Sequence, residues 1–114
     1  MTWHEKVRIR ERGEALPIWK PETGEHLVEV IEEPDGPTAT RYGERLVFTI
    51  RLLRDGRKLR WFVPYRTEVS EGSLLSQLAK IAKEHRGLRN LKLRVVVTGR
   101  GSNRRYSVEV LGEV

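Results

Sequence analysis

Arginine, lysine and aromatic side chains alternate with aliphatic ones on both sides of a predicted turn at Asp55 and Gly56. The segment is RLLRDGRKLRWFVPYR, residues 51 to 66. Cationic side chains bind phosphates and displace their counterions, and a flat aromatic ring stacks on an exposed base. These residue types at strand spacing therefore indicate a surface for a polyanion that has exposed bases.

The turn determines which of these side chains lie on the same face. Asp-Gly between apolar runs favours a two-residue type I′ loop, because both loop positions need a positive φ. In that register Leu52 lies opposite Leu59 and Arg51 lies opposite Arg60, and opposed side chains project to the same side of the sheet. The predicted core face then consists of Leu46, Phe48, Ile50, Leu52, Leu59, Trp61, Val63 and Tyr65.

The opposite face of the predicted hairpin is cationic and contains one aromatic residue. Its members are Val47, Thr49, Arg51, Leu53, Lys58, Arg60 and Phe62. A β-bulge in either strand would shift the register by one residue, so that Trp61 would become the stacking residue and Phe62 would turn inward. The pattern favours Phe62 as the outward aromatic and leaves Trp61 as the alternative.

The formal net charge is +6, and it is distributed unevenly. Residues 41 to 66 contain eight Lys or Arg against two acids, and residues 86 to 105 contain seven against none. Residues 1 to 40 are acidic, with nine Asp or Glu against five basic residues. Basic charge confined to two segments is expected when it lines a nucleic-acid-binding surface. For either segment alone, a solvated charged face is the alternative.

A chain of 114 residues has the length of one domain and can close a core without disulfides or metal. Because it has no cysteine, a disulfide scaffold, a thiolate metal site and a cysteine nucleophile are excluded. The first residues are too charged for a signal peptide and no apolar run is long enough for a membrane span, so we expect a cytoplasmic protein. Abundant Arg and Glu with few Gln, Asn and Met are typical of thermophilic proteins.

No other chemistry stands out in the sequence. The histidines, His4, His26 and His85, have no metal-ligand spacing. The acids at residues 32 to 35 are typical of a solvated strand end rather than a magnesium site. The GRG turn at residues 99 to 101 lacks the spacing and the lysine of a P-loop, and no serine lies in a nucleophile-elbow pattern. The sequence therefore predicts neither an enzyme nor a metal or cofactor site.

Hydrophobic periodicity predicts five strands and one helix, the helix following the third strand. The strands are predicted at about residues 26 to 33, 44 to 54, 57 to 65, 91 to 98 and 103 to 111. Ser73 is the expected N-cap of the helix and Gly87 its expected end. Residues 34 to 43 are predicted to be a long loop.

Residues 1 to 24 are predicted to be an N-terminal extension or arm, and residues 25 to 114 the folded domain. Trp19 lies between Pro17 and Pro21, which favours an extended segment. We expect its indole to cover part of the core.

The order β-β-β-α-β-β is that of the OB-fold, a five-stranded, partly open Greek-key barrel. Over residues 26 to 111 the chain resembles archaeal and phage single-stranded DNA-binding proteins of the OB type. The resemblance lies in the first strand from Gly24 to Val30, the Tyr42-Gly43 pair, the RWFVP segment, LLSQLAKIAKEH, and the glycine turn followed by Tyr106 and Val108.

In that family, nucleic acid crosses the outer face of the second and third strands. It lies between the loop that joins strands one and two and the loop that joins strands four and five. The resemblance thus implies a binding face made of Thr49, Arg51, Lys58, Arg60 and Phe62. It adds Arg41 and Tyr42 from the first loop, and Arg100, Ser102, Asn103 and Arg104 from the second. The family usually has more than one exposed aromatic, whereas here the predicted register turns Trp61 and Tyr65 inward.

The sequence therefore predicts non-enzymatic binding of single-stranded nucleic acid, DNA rather than RNA, with low sequence specificity. An RNA-binding domain would use the same chemistry, because stacking and phosphate contacts do not read the 2′-hydroxyl. A protein-interaction subunit that docks through Trp19, Trp3 or the helix face is the alternative of a different class. The patterns make no prediction about oligomeric state.

Overall fold

Six strands and one α-helix are present in residues 16 to 113, the part of the chain that the computed structural model describes. In chain order these are β1 (Gly24–Glu32), β2 (Thr38–Thr40), β3 (Gly43–Leu52), β4 (Lys58–Pro64), α1 (Leu74–His85), β5 (Leu91–Thr98) and β6 (Arg105–Glu113). The protein is mainly β with one helix, as predicted. The predicted arm lies outside the described residues as far as residue 15.

The strands form one open antiparallel sheet with β1 at its centre. β1 pairs with β3 on one side and with β5 on the other, and β4 and β6 are the outer neighbours of β3 and β5. The prediction of five strands was wrong because the loop at residues 34 to 43 contains β2, which pairs with the start of β3. The Thr40 hydroxyl donates to the Gly43 carbonyl (2.6 Å) and accepts from the Tyr42 amide (3.2 Å), so it stabilises the return of the chain.

The sheet stays open between β4 and β6, which do not pair within residues 16 to 113. Helix α1 packs against both strands at this gap. The Gln77 side-chain amide donates from Nε2 to the Tyr106 carbonyl (2.7 Å) and accepts at Oε1 from the Val108 amide (2.8 Å). At these two residues Gln77 therefore makes the hydrogen bonds with the free edge of β6 that a neighbouring strand would make.

The turn between β3 and β4 differs from the predicted type I′ loop. Leu52 donates its amide to the Arg57 carbonyl (2.9 Å), so the loop has four residues, 53 to 56, and Arg51 lies opposite Lys58. Gly56 has φ of 74°, but Asp55 is not among the described residues with positive φ. The Asp55 carboxylate instead accepts from the Arg57 backbone amide (3.0 Å). The resulting shift of two residues is even, so every side chain keeps its predicted face.

The predicted core face is buried. Its fully buried members are Phe48, Ile50, Leu52, Leu59, Trp61 and Val63, while Leu46 and Tyr65 are half-buried. Trp19 is also buried, as expected, and meets Trp61 edge to face with ring centroids 5.1 Å apart.

Helix α1 follows its predicted signals. Ser73 caps its N-terminus by accepting from the Ser76 amide (3.2 Å). Its buried residues include Leu78 and Ile81, which join the core. Arg86 is the C-cap, in a left-handed conformation, and the predicted Gly87 follows it directly with φ of 118°. No helix in residues 16 to 113 is both long and apolar enough to cross a membrane.

Candidate nucleic-acid interface

The outward side of the β3 and β4 hairpin brings together cationic side chains and one aromatic ring. Side chains of odd number in β3 and even number in β4 point away from the core, and the register sets Val47 opposite Phe62, Thr49 opposite Arg60 and Arg51 opposite Lys58. We call this surface the hairpin face. It consists of Arg45, Val47, Thr49, Arg51, Lys58, Arg60 and Phe62.

Phe62, not Trp61, is the outward aromatic. Trp61 is only 3% exposed and lies between the rings of Trp19 and Phe48 in the core. It has no free ring surface for a base, so the alternative that made Trp61 the stacking residue was wrong. The reason is that no one-residue bulge occurs between β3 and β4, whose pairs run without interruption. Phe62 is half-buried on the opposite side of the strand.

Arg60 is ordered by two contacts. Its guanidinium carbon lies 5.3 Å from the centre of the Phe62 ring, within the range of a cation–π interaction. Its Nε donates to the Leu16 carbonyl at 2.7 Å. Because Nε is occupied, the two terminal nitrogens are the donors through which Arg60 would contact a phosphate.

Arg45 belongs to the hairpin face, although it was not among the predicted site residues. It is opposite Pro64, two residues before Val47 on the same side of β3. Its Nη1 donates to the Glu44 carbonyl at 3.0 Å. The alternation already used for Val47 and Thr49 would have found it if continued to the start of the strand.

The two loops implied by the resemblance differ in how they relate to the hairpin face. Arg41 and Tyr42 form the turn that leads into β3, and Tyr42 is 76% exposed. They therefore adjoin one end of the hairpin face. The loop that joins β5 to β6 is separated from the hairpin face by β1. It lies at the end of the sheet where β1 begins, and there the Thr23 hydroxyl donates to the Gly99 carbonyl (3.2 Å).

Within the loop that joins β5 to β6, three of the predicted residues are exposed and the fourth, Arg104, is held by contacts. Arg100, Ser102 and Asn103 are exposed around a short 3-10 turn. Arg104 donates to the Pro21 carbonyl, and its guanidinium carbon lies 5.8 Å from the centre of the Tyr106 ring. Arg104 thus has a structural role, holding the segment that leads into β1.

The carboxyl group of Asp55 has a lowered pKa. The hydrogen bond from the Arg57 backbone amide, with the charges of Arg57 and Arg54 beside it, holds the pKa of Asp55 below its ordinary value. This carboxylate faces solvent and stabilises the turn at one end of the hairpin face.

The described residues show no site suited to a metal. Between residues 16 and 113 no group of three or more His, Cys, Asp or Glu is placed to hold an ion. In the acidic segment at residues 32 to 35, Glu33 instead accepts from the Leu88 amide at 2.8 Å. His26 donates from Nε2 to the Glu22 carbonyl at 2.6 Å, and His4 lies outside the described range.

Comparisons of the chain with protein-family models, with curated proteins and with solved structures found no match. The resemblance to OB-type single-stranded DNA-binding proteins therefore has no support from a relative. The candidate interface rests on the side chains, charges and register of the chain itself.

Proposed function

We propose that the protein is a non-enzymatic, OB-type binder of single-stranded nucleic acid, and that the strand lies along the hairpin face. The observation that carries the proposal is that Lys58, Arg60 and Phe62 follow one another on the outward side of β4, with the Arg60 guanidinium beside the Phe62 ring. Cations next to a flat apolar ring are the combination that single-strand binding requires.

The order of the strands supports the OB-type architecture. If β2 is set aside as an insertion, the order across the sheet is β4, β3, β1, β5, β6, with α1 following the third of these strands in the chain. The gap between β4 and β6 corresponds to the opening of a partly open barrel. In this scheme β3 and β4 are the second and third strands, whose outer face binds ligand in OB-folds.

The hairpin face would bind phosphates and bases with different side chains. Lys58 and the terminal nitrogens of Arg60 would contact phosphates, and a base would stack on Phe62. Tyr42 offers a second, exposed ring; it lies five residues along the chain, or about 16 Å of extended strand, from Val47, the partner of Phe62. Stacking accepts any base, so low sequence specificity follows, and a duplex competes poorly because its base faces are covered.

DNA is the proposed ligand, and RNA is the variant of the same hypothesis. The hairpin face presents cations and a ring, which do not distinguish a deoxyribose from a ribose. Competition between oligo-dT and oligo-rU of equal length for one labelled strand separates the two. Preferential displacement by oligo-rU would contradict the assignment to DNA.

Docking of a protein partner is the competing function, and one feature favours it. A groove of about 530 Å³ beside α1 is lined by apolar residues that include Tyr65, Val69 and Leu75. Trp19, one of the predicted docking residues, is buried and does not contribute. If nucleic-acid binding fails in the experiment below, the α1 groove becomes the leading candidate.

The experiment is a titration of labelled oligo-dT, read by fluorescence anisotropy, with the wild type and with Phe62→Ala. We expect the substitution to weaken binding by about 5- to 150-fold, which corresponds to the loss of ~1 to 3 kcal/mol of stacking. The matched control is Leu111→Ala, which removes an exposed apolar side chain from β6, away from the hairpin face. Equal affinity of the two variants would contradict the proposal.

A further inference from the structure

Three exposed apolar side chains lie together at the turn between β3 and β4. Ile18, Leu27 and Leu53 are 48%, 40% and 37% exposed, and all three line the same groove. Large apolar side chains that are exposed singly are ordinary, but a cluster with a polar rim marks a binding site. We call this cavity, lined by Ile18, Lys20, Leu27, Leu53, Arg54 and Arg57 among others, the turn groove.

The walls of the turn groove are fixed by backbone hydrogen bonds. On one side, the Trp19 amide donates to the Arg60 carbonyl (2.7 Å) and the Arg60 amide donates to the Pro17 carbonyl (2.9 Å). On the other side, the Leu53 amide donates to the Leu27 carbonyl (3.0 Å). These bonds hold the segment before β1 against β4 and the hairpin turn against β1. Both walls of the groove are therefore fixed in position. The groove has a volume of about 730 Å³, within the range of ligand sites.

The rim of the turn groove is charged unequally. Lys20, Arg54 and Arg57 line it. Arg54 and Arg57 are largely exposed, and each contacts the Asp55 carboxylate through Nε, at 3.7 and 3.1 Å, which leaves their terminal nitrogens for an anion. Of the acids that also line it, Glu25 is paired with Arg94 at 2.8 Å. Glu22 belongs to the segment before β1, across the groove from the hairpin turn. An anionic group would therefore be bound at the Arg54 and Arg57 side, next to the apolar interior.

The turn groove is continuous with the hairpin face. Arg57 directly precedes Lys58, the first residue of β4, and Leu53 directly follows Leu52, the last residue of β3. The groove therefore begins where a strand bound to the hairpin face would leave it, about 16 Å along β4 from Phe62.

We infer that the turn groove is a second nucleotide site, which takes an unstacked base of the same single strand with its phosphate on Arg54 and Arg57. This inference rests on the proposed function and specifies how far the strand extends. The base fills the space between Ile18 on one wall and the adjacent Leu27 and Leu53 on the other, so that its apolar faces are removed from water. A nucleotide suits both the apolar interior and the cationic rim, whereas an uncharged aliphatic peptide would bring no anion to the terminal nitrogens of Arg54 and Arg57.

The test combines oligonucleotide length with a change in the groove. Wild type and the double variant Leu27→Ser with Leu53→Ser are titrated with oligo-dT of about 4 to about 16 nucleotides, the range of site sizes of OB-folds. We expect the double variant to bind the shortest strands normally and the longest ones about 5- to 100-fold more weakly. The matched control, Leu111→Ser, also removes an exposed leucine and should follow the wild type at every length.

The outcomes separate the inference from the proposed function. If the wild type binds no oligonucleotide, both fail. If the wild type binds and the double variant matches it at every length, the second site is wrong and the proposed function stands, and a peptide becomes the candidate occupant. An equal loss of affinity at all oligonucleotide lengths also overturns the inference, because it indicates that the substitutions disturb the hairpin. In that case a thermal melt of the double variant shows a lower Tm than the wild type.

Discussion

The hairpin face and the outward side of β5 and β6 are both lined with basic residues, but their charges are paired differently. By sequence the second region is the more basic, since residues 86 to 105 contain no acid. In the folded chain, however, Arg94 meets Glu25 at 2.8 Å and Glu109 at 3.8 Å. On the hairpin face the ion pair between residues of different strands joins Arg51 to Glu29, at 3.8 Å.

A second difference concerns aromatic residues. On β4, Phe62 points outward, whereas on β6 Tyr106 points inward and packs against the core. The β5 and β6 side thus lacks a ring for stacking within its two strands. The basic content of a segment therefore does not measure the cationic character of a surface, because neighbouring strands supply the acids.

The largest expected effect concerns the core side of the hairpin. Trp61→Ala should destabilise the fold by about 3 to 5 kcal/mol, because it leaves a cavity against Trp19 and Phe48. Phe62→Ala should cost much less stability, since that ring is half-buried on the other side. Urea unfolding of both variants measures the difference. Similar losses would show that the two aromatics do not lie on different faces.

Charge reversal should next distinguish the two basic regions. Arg45→Glu with Lys58→Glu should weaken binding of oligo-dT by about 100-fold at low salt. The dependence of log K on log salt should also become shallower by about 1.4, or ~0.7 for each phosphate that is no longer neutralised.

The matched control for this reversal is Lys92→Glu with Arg105→Glu, on β5 and β6. It changes the net charge by the same amount, so a general electrostatic effect would appear in both variants. We expect the control to retain most of the wild-type affinity. Equal losses of affinity in the two variants would show that the hairpin face is only one part of a uniformly basic binding surface.

Neutralising single acids gives a smaller and opposite effect. Glu29→Gln releases Arg51, the more exposed partner of this half-buried ion pair, and should strengthen binding by about two- to fivefold. Glu109→Gln should change little, because Arg94 keeps its closer partner, Glu25. Anisotropy titrations at one salt concentration compare the two. A gain with Glu109→Gln alone would mean that the strand crosses β5 and β6 instead.

The smallest effect is on the pH dependence of stability through Asp55. Its pKa is lower in the folded protein than the ordinary 3.8, so it stabilises the fold above that value, and this contribution disappears as pH falls through the folded pKa. Asp55→Asn should therefore lower Tm slightly at about pH 6 and reduce the loss of Tm between about pH 5 and about pH 2. An unchanged acid dependence would show that the Arg57 contact does not matter to stability.

Much of this arrangement follows from local patterns in the sequence. Alternation of apolar residues correctly assigned the faces of β3 and β4, where Phe48, Ile50, Trp61 and Val63 are buried. These assignments need only the period of a strand and the burial of one face. The faces were assigned correctly although the turn type was predicted wrongly, because the resulting error in register was an even number of residues.

Two short-range features and the contacts distant in sequence were not predicted. The type I′ loop failed because the Asp55 carboxylate stabilises a longer turn, and β2 was missed because a three-residue strand has too little periodicity to detect. The pairing of Arg94 with Glu25, and of Arg104 with Pro21, required knowledge of which strands are neighbours. Local sequence contains no such information.

The central claim is that the hairpin face binds a single strand by stacking as well as by charge. The most direct test is competition for a labelled oligo-dT complex by unlabelled oligo-dT and by a duplex of equal length, at low and at high salt. We predict that the single strand displaces the label far better than the duplex and that its advantage persists at high salt, because stacking is not screened. Equal displacement by both, vanishing together in salt, would contradict the claim.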